Sequence, residues 1–140
     1  MRYIKVGTQG VFNNIEIALS QHCVSAEVAM ASRYDEEKWS ITRSGSRSTE
    51  AAGGNGSAGV IGAMEWWLEG CFVKQAFALP SNDLEAFTKS LVKEFGGTGS
   101  NENDHIRVCS FRDLDEQSFE AWVIVGISDR AQALLFKLKH

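Results

Sequence analysis

The sequence has few cysteines and no long apolar run, the features that mark secreted and membrane-spanning proteins. It contains one proline and only three cysteines, Cys23, Cys71 and Cys109. An odd number of cysteines without paired spacing does not suit a disulfide framework, so we expect reduced thiols and a cytoplasmic protein. Even the longest apolar runs, such as 121–125 and 133–136, are far shorter than the ~20 residues of a membrane span. The first residues also lack an apolar signal core.

Positive charge is also in the minority. The 14 lysines and arginines are outnumbered by 18 aspartates and glutamates, which gives a formal net charge of −4. Because nucleic-acid binders usually present a basic face, this balance argues against nucleic acid and is compatible with a basic partner. A chain of 140 residues, 44% of them hydrophobic, predicts one soluble domain over residues 1–140.

The most distinctive stretch, residues 44–59, is rich in glycine and serine. Gly54, Gly56 and Gly59 match the G-x-G-x-x-G spacing of dinucleotide-binding loops. Such a loop requires a buried strand that runs directly into the first glycine, and the preceding RSTEAA cannot form one. We therefore interpret residues 44–59 as a flexible, solvated loop. The alternative is a ligand-binding lid or phosphate cradle formed by Gly53–Gly59.

Hydrophobic periodicity predicts the α+β class. Alternating apolar residues predict a hairpin within residues 24–42 and a meander of strands after residue 105. Helices are predicted near residues 12–19 and over 83–95. The second helix carries an apolar stripe at the spacing of a buried helix face, formed by Leu84, Phe87, Leu91 and Phe95. Hairpins and meanders favour a mainly antiparallel sheet with two or three helices packed on one face.

Two segments have less decisive patterns. Residues 60–70 fit either a helix that ends at Gly70 or a strand. Leu134, Phe136 and Leu138 alternate along the chain, which predicts a terminal strand rather than a helix.

No set of reactive residues in the sequence identifies a catalytic reaction. His22 and Cys23 are adjacent, so their side chains diverge, and His105 lies about 13 Å from Cys109 along a predicted strand. Zinc sites are usually built from close pairs such as C-x-x-C, and none is present. We therefore expect no enzyme activity, no metal and no cofactor.

Tryptophans and acidic turns are the candidate binding residues. Adjacent Trp66 and Trp67 cannot point in the same direction, so at least one should reach the surface, where tryptophan is a frequent interface anchor. The acidic turns are either ordinary solvated turns or an acidic patch that meets a basic partner. The predicted partner-binding residues are Asp35, Glu36, Glu37, Trp66, Trp67, Asp113, Asp115 and Glu116.

These features favour a non-enzymatic protein that binds another protein. A bacterial immunity protein, which neutralises a toxin by covering its basic active-site face, fits by size, charge and class. A second hypothesis is a small enzyme or ligand-binding domain that uses the glycine-rich loop. A third is a homo-oligomeric subunit, such as a homodimer paired through the terminal strand. An acidic and aromatic patch, a pocket beside the loop, or an unpaired sheet edge would distinguish them.

Overall fold

The computed structural model describes residues 3–22, 25–32, 36–44, 47–49, 56–95, 106–113 and 120–140. The strands in chain order are β1 (Ile4–Val6), β2 (Ser25–Ser32), β3 (Glu36–Ser44), β4 (Arg47–Thr49), β5 (Val73–Pro80), β6 (Ile106–Asp113) and β7 (Glu120–Ile127). The helices are α1 (Thr8–Ile17), which a π-helical turn (Ala18–His22) continues, α2 (Gly56–Trp67), α3 (Leu84–Phe95), which follows a 3₁₀ turn (Ser81–Asp83), and α4 (Arg130–Lys139).

The strands form one antiparallel sheet in the order β1-β5-β7-β6-β2-β3-β4. The strand β7 lies between β5 and β6, where Val123 pairs with Phe77 on one side and Ser110 on the other. β2 connects this centre to β3, so the hairpin predicted within residues 24–42 is confirmed. β7 reads as an almost continuous apolar run because both of its faces are covered.

Helices cover both faces of the sheet. Side chains alternate between the faces along each strand. Ile124 packs in a core cluster with residues of α1 and α2, whereas Val123 and Val125 pack with residues of α3 and α4. We call these two sides the α1/α2 face and the α3/α4 face.

Helix α3 packs as its sequence pattern predicted. Its stripe residues are all buried, with exposures between 0% and 8%, and they are Leu84, Phe87, Leu91 and Phe95. The ring of Phe95 lies 5.1 Å from the ring of Phe136, centroid to centroid, which joins α3 to α4. Aromatic pairs in this range add stability beyond the area that they bury.

The α+β class and the antiparallel sheet are confirmed, but the helices differ in number and position from the prediction. Four α-helices are present among the described residues, two on each face, rather than two or three on one face. Most of residues 60–70 is helical, because α2 spans Gly56–Trp67. The predicted terminal strand is wrong, because this segment is helix α4, Arg130–Lys139. The C-terminal segment therefore offers no strand through which a dimer could pair.

The start of α4 shows why this segment is helical. The Asp129 carboxylate accepts a hydrogen bond from the backbone N–H of Gln132 at 2.9 Å, as an N-cap residue does. Ala133 and Phe136 face the core, three residues apart. Leu138 is 78% exposed. The sequence resembled a strand because α4 also carries leucines on its outer side.

The glycine-rich segment is described only in part. β4 pairs antiparallel with β3 at the edge of the sheet, and α2 begins at Gly56, inside the glycine pattern. A dinucleotide-binding loop instead follows a buried parallel strand. Residues 45, 46 and 50–55 lie outside the described residues, so the flexibility of 44–59 stays a prediction.

Candidate protein-interaction site

Helix α2 buries one side and presents the other to solvent. Val60, Met64 and Leu68 are spaced by one turn, and each is 1% exposed. From residue 59 onward, the exposed residues on the opposite side of α2 and of the turn after it are Gly62, Glu65, Trp66 and Glu69. We call these four residues the α2 outer face.

Trp66 is the most prominent residue of the α2 outer face. It is 66% exposed, which is unusual for so large an apolar side chain. A Cβ on Gly62, one turn earlier, would meet no heavy atom within 4 Å, so the surface beside the indole is open. Glu65 and Glu69 place two carboxylates on the same side of the helix, since residues four apart lie one above the other.

Trp67 points inward and is held by Arg107 of β6. The guanidinium Nη1 donates a hydrogen bond to the Trp67 carbonyl oxygen at 3.0 Å. The same guanidinium lies 5.4 Å from the centroid of the Trp67 ring, a cation–π distance. Arg107 therefore binds both the backbone and the ring at the C-terminal end of α2, which positions neighbouring Trp66.

The chain leaves α2 through a left-handed glycine. Gly70 has a φ of 81°, a conformation that other residues rarely adopt. The backbone N–H of Glu69 donates to the Trp66 oxygen at 3.2 Å, and that of Cys71 donates to the Leu68 oxygen at 3.4 Å. These bonds pair backbone groups that a helix end otherwise leaves open.

The described acidic residues of the two predicted turns lie far apart along the sheet. Ala31 of β2 pairs with Glu36 of β3, while Ala26 of β2 pairs with Asp113 of β6. Ala26 and Ala31 are separated by roughly 17 Å of strand, so Glu36 and Asp113 lie towards opposite ends of the sheet. Asp35, Asp115 and Glu116 lie outside the described residues.

The start of β3 lies at the same end of the sheet as the tryptophans. Arg107, which holds Trp67, pairs with Ser32 of β2. Glu36 and Glu37 pair with the residues just before Ser32. The structure therefore brings Trp66 and Trp67 to the same end of the sheet as Glu36 and Glu37, and separates them from Asp113.

Asp113 differs from the exposed turn residue that the sequence predicted. It is the last residue of β6 and is 8% exposed. Beside it, the Arg112 guanidinium donates to the Glu27 carboxylate at 3.0 Å. The expectation of a surface acid is wrong for Asp113, because its pairing with Ala26 extends the strand through it.

The two described cysteines lie on the α1/α2 face beneath α2. Burial raises the pKa of the Cys109 thiol far above its ordinary value, and the nearby Cys71 raises it further. The Cys109 Sγ lies 3.7 Å from the Met64 carbonyl oxygen. Partial burial also raises the pKa of Cys71, against the opposing charges of Arg107 and Lys74. Neither thiol is held as a thiolate nucleophile, because neither pKa is lowered.

Among the described residues, no three His, Cys, Asp or Glu side chains lie close enough together to hold a metal ion. Within the same part of the chain, no helix combines the length and apolar character needed to cross a bilayer. Comparison of the chain with protein-family models, curated proteins and solved structures finds no match.

Glu65 and Glu69 are the members of this site that sequence reasoning missed. Their spacing around Trp66 is visible in the sequence, but it places them on one face only if residues 60–70 are helical. Because the sequence of this segment fits a strand as well as a helix, the spacing of the two glutamates does not by itself place them on one face. A helical assignment would have identified the α2 outer face.

Proposed function

We propose that this protein is a non-enzymatic binding protein that recognises another protein through the α2 outer face. The observation that carries the proposal is Trp66, which is 66% exposed on a helix whose end is held by Arg107. Tryptophan is enriched among the residues that dominate interface energy. A helix end that is already held loses less conformational freedom when a partner binds.

The charge beside Trp66 supports a basic partner. Glu65 and Glu69 are exposed, and Glu36 and Glu37 begin β3 at the same end of the sheet. Exposed carboxylates beside an apolar anchor, such as those of Glu65 and Glu69, accelerate association with a positively charged surface and disfavour acidic competitors. The net charge of the chain, −4, acts in the same direction.

In its most specific form, the proposal is a cytoplasmic bacterial immunity protein that neutralises a toxin by covering a basic catalytic face. Its support is the acidic balance of the chain and the α2 outer face. This form rests on analogy of class rather than on a shared motif. A second copy of the chain is the alternative partner.

The first experiment compares Trp66→Ala with Leu134→Ala as bait for capture from the source cell and from a cell that makes the product of the neighbouring gene. Leu134 is the matched control, because it is 62% exposed and lies in α4, on the other face of the sheet. We expect the wild type and Leu134→Ala to retain a partner that Trp66→Ala loses. Loss of a hot-spot tryptophan typically costs about 2 kcal/mol or more, which is roughly thirtyfold in Kd.

The second experiment measures binding kinetics of the captured partner with Glu65→Lys/Glu69→Lys. We expect association to slow several-fold and its salt dependence to weaken. Glu85→Lys is the control, since this exposed glutamate lies on α3, on the opposite face of the sheet. Its association rate should change much less.

Three outcomes would overturn the proposal. A partner retained equally by Trp66→Ala places the interface elsewhere. Concentration-dependent self-association that Trp66→Ala abolishes identifies a second copy as the partner. A small molecule that co-purifies in place of any protein favours the ligand-binding alternative.

A further inference from the structure

The α2 outer face has a gap at Gly62. This glycine lies inside α2 and is exposed, and a Cβ added to it would meet no heavy atom within 4 Å. Among the described residues, therefore, no close neighbour excludes a side chain at this position. Because glycine in a helix interior is less stable than alanine, the packing of the fold does not account for it. The gap is a feature of the surface.

Trp66 and Glu65 border the gap on two sides. With 3.6 residues per turn, Trp66 lies about 40° to one side of Gly62 and Glu65 about 60° to the other, each roughly one turn later. Side chains of a helix lean towards its N-terminus, so those of Trp66 and Glu65 lean towards Gly62. We call this gap between the indole and the carboxylate the Gly62 notch.

The charge beside the Gly62 notch is negative. Glu65 and Glu69 are exposed and four residues apart, a spacing at which like charges on a helix repel each other. Within the described part of the chain, neither carboxylate forms an ion pair with a lysine or an arginine. A cation from a partner would relieve this repulsion, so charge complementarity favours a cationic group in the notch.

The indole beside the notch is accessible to a ligand. Trp66 is 66% exposed, and the ring of Trp67 lies 6.4 Å away with a tilt of 43°, so the two rings do not stack face to face. The face of an indole attracts cations more strongly than the other aromatic rings do. Trp66 and Glu65 therefore offer a cation two different contacts from opposite sides of one gap.

Arginine suits such a site better than lysine. Its guanidinium is planar, so it can lie over a ring while its N–H groups donate in the plane to an oxygen acceptor. Arg107 combines these two contacts at the next residue, where it lies 5.4 Å from the Trp67 ring centroid and donates to the Trp67 carbonyl oxygen at 3.0 Å. A lysine ammonium is compact and strongly hydrated and has no flat face to stack.

We propose that the Gly62 notch receives an arginine side chain of the partner protein. The guanidinium lies over the Trp66 indole and donates to the Glu65 carboxylate, and Glu69 adds a second negative charge nearby. Gly62 keeps the notch open. The inference rests on the proposed function, because it names the group that the α2 outer face recognises in its partner.

The test uses three acetylated and amidated pentapeptides, in which two glycines flank a central arginine, lysine or citrulline on each side. Lysine keeps the charge of arginine without its plane, and citrulline keeps the shape without the charge. The indole N–H resonance of Trp66 and the amide resonance of Gly62 are followed in the ¹⁵N-labelled protein. We expect saturable shifts with the arginine peptide, at least about threefold weaker binding with lysine and at least about fivefold weaker binding with citrulline.

Variants locate the site. Gly62→Leu fills the notch with a residue that suits a helix, and it should weaken binding of the arginine peptide at least about fivefold. Ala131→Leu is the control, because it places the same side chain at an exposed position of α4, on the other face of the sheet. It should change binding less than about twofold, since distant sites act independently. A circular dichroism spectrum identical to that of the wild type shows that each variant is folded.

Other results overturn the inference. Absence of a saturable shift at Trp66 and Gly62 removes the site. Equal affinity for the arginine and citrulline peptides removes the ionic contact, and equal affinity for arginine and lysine removes the requirement for a guanidinium. Unchanged binding to Gly62→Leu places the peptide elsewhere on the surface.

The proposed function holds or fails separately, because the peptides require no partner. A captured partner that needs Trp66 but binds Gly62→Leu as tightly as the wild type overturns the arginine contact and leaves the proposed function in place. Binding of the arginine peptide in the notch, with no captured partner that depends on Trp66, supports the site and overturns the proposed protein interface.

Discussion

A Cβ added to Gly126 of β7 would lie 2.7 Å from the Sγ of Cys71, so the Cys71 side chain would have to shift to make room for it. The Cδ2 of Leu68 is almost as close, at 2.8 Å. The turn after α2 thus packs directly on the backbone of the strand. This contact sets how closely the C-terminal end of α2, and with it the α2 outer face, approaches the sheet.

Gly126→Ala should therefore lower the free energy of unfolding by about 1–3 kcal/mol, the usual cost of overpacking a core. Chemical denaturation measures the change. Gly62→Ala is the matched control, since a Cβ there meets nothing within 4 Å. It should raise the free energy of unfolding by about 0.5–1 kcal/mol, because alanine suits a helix interior better than glycine. Equal effects of the two substitutions would show that the contact at Gly126 is not tight.

The α3 stripe should be a main contributor to stability. Truncation of Phe87 or Leu91, which are 3% and 2% exposed, leaves a cavity. We expect Phe87→Ala to cost about 3–5 kcal/mol and Leu91→Ala about 2–5 kcal/mol in urea denaturation. Lys93→Ala, on the exposed side, should stay within about 0.5 kcal/mol. Losses that small for both stripe residues would place α3 outside the core.

The two described thiols should react with alkylating agents in a fixed order. Cys71 is partly exposed and Cys109 is buried, and burial raises the pKa of Cys109 much more. Since the thiolate is the reactive form, iodoacetamide at neutral pH should modify Cys71 well before Cys109. Peptide mapping by mass spectrometry measures both rates. In urea the difference should vanish; equal native rates would contradict the burial of Cys109.

Stability should fall as His140 becomes protonated. Partial burial, with Lys5 and Lys139, lowers its pKa below the ordinary value of 6.5, although the Glu94 carboxylate opposes this shift. The unfolded chain therefore takes up the proton first. The contribution of His140 to stability is therefore fully present above pH 6.5 and is lost as the pH falls below that value.

His140→Phe isolates this effect and retains a ring against Phe136, whose centroid lies 4.9 Å away. When the pH is lowered from about 7.5 to about 5.5, the urea midpoint should fall less for the variant than for the wild type. Identical falls in both proteins would show that His140 does not contribute.

Charge reversal distinguishes the two kinds of acidic residue in this chain. Asp113→Lys should destabilise the protein by about 1–3 kcal/mol, because it forces a cation into a site only 8% exposed. Glu65→Lys, on the α2 outer face, should stay within about 0.5 kcal/mol. Thermal unfolding of both variants gives the comparison. If Asp113→Lys leaves the stability unchanged, the Asp113 side chain lies at the surface and not in a buried site.

Local patterns predicted those elements whose surroundings are simple. The α3 stripe required only one buried face, so its spacing was sufficient to identify the helix. The pairing of β2 with β3 followed from alternation and a short connection. Adjacent tryptophans, 100° apart on a helix, meant that one of them would be exposed, and Trp66 is that residue.

The candidate site depended on more than local pattern. Glu65 and Glu69 join Trp66 only because residues 60–70 are helical. Burial of Asp113 depends on its pairing with Ala26, far away in sequence. Neither relationship is present in the spacing of residues along one segment.

By itself, the sequence determined the α+β class, the antiparallel character of the sheet and which side of α3 is buried. Only the tertiary structure decided the strand order, the division of helices between two faces and the helical state of α4. The reason is physical: periodicity shows that a face is apolar, but the hydrophobic effect has no direction and does not say what will cover that face. In α4, the alternation of Leu134, Phe136 and Leu138 fits a strand. The packing of Phe136 against Phe77 and Phe95 is a tertiary contact that this alternation does not show.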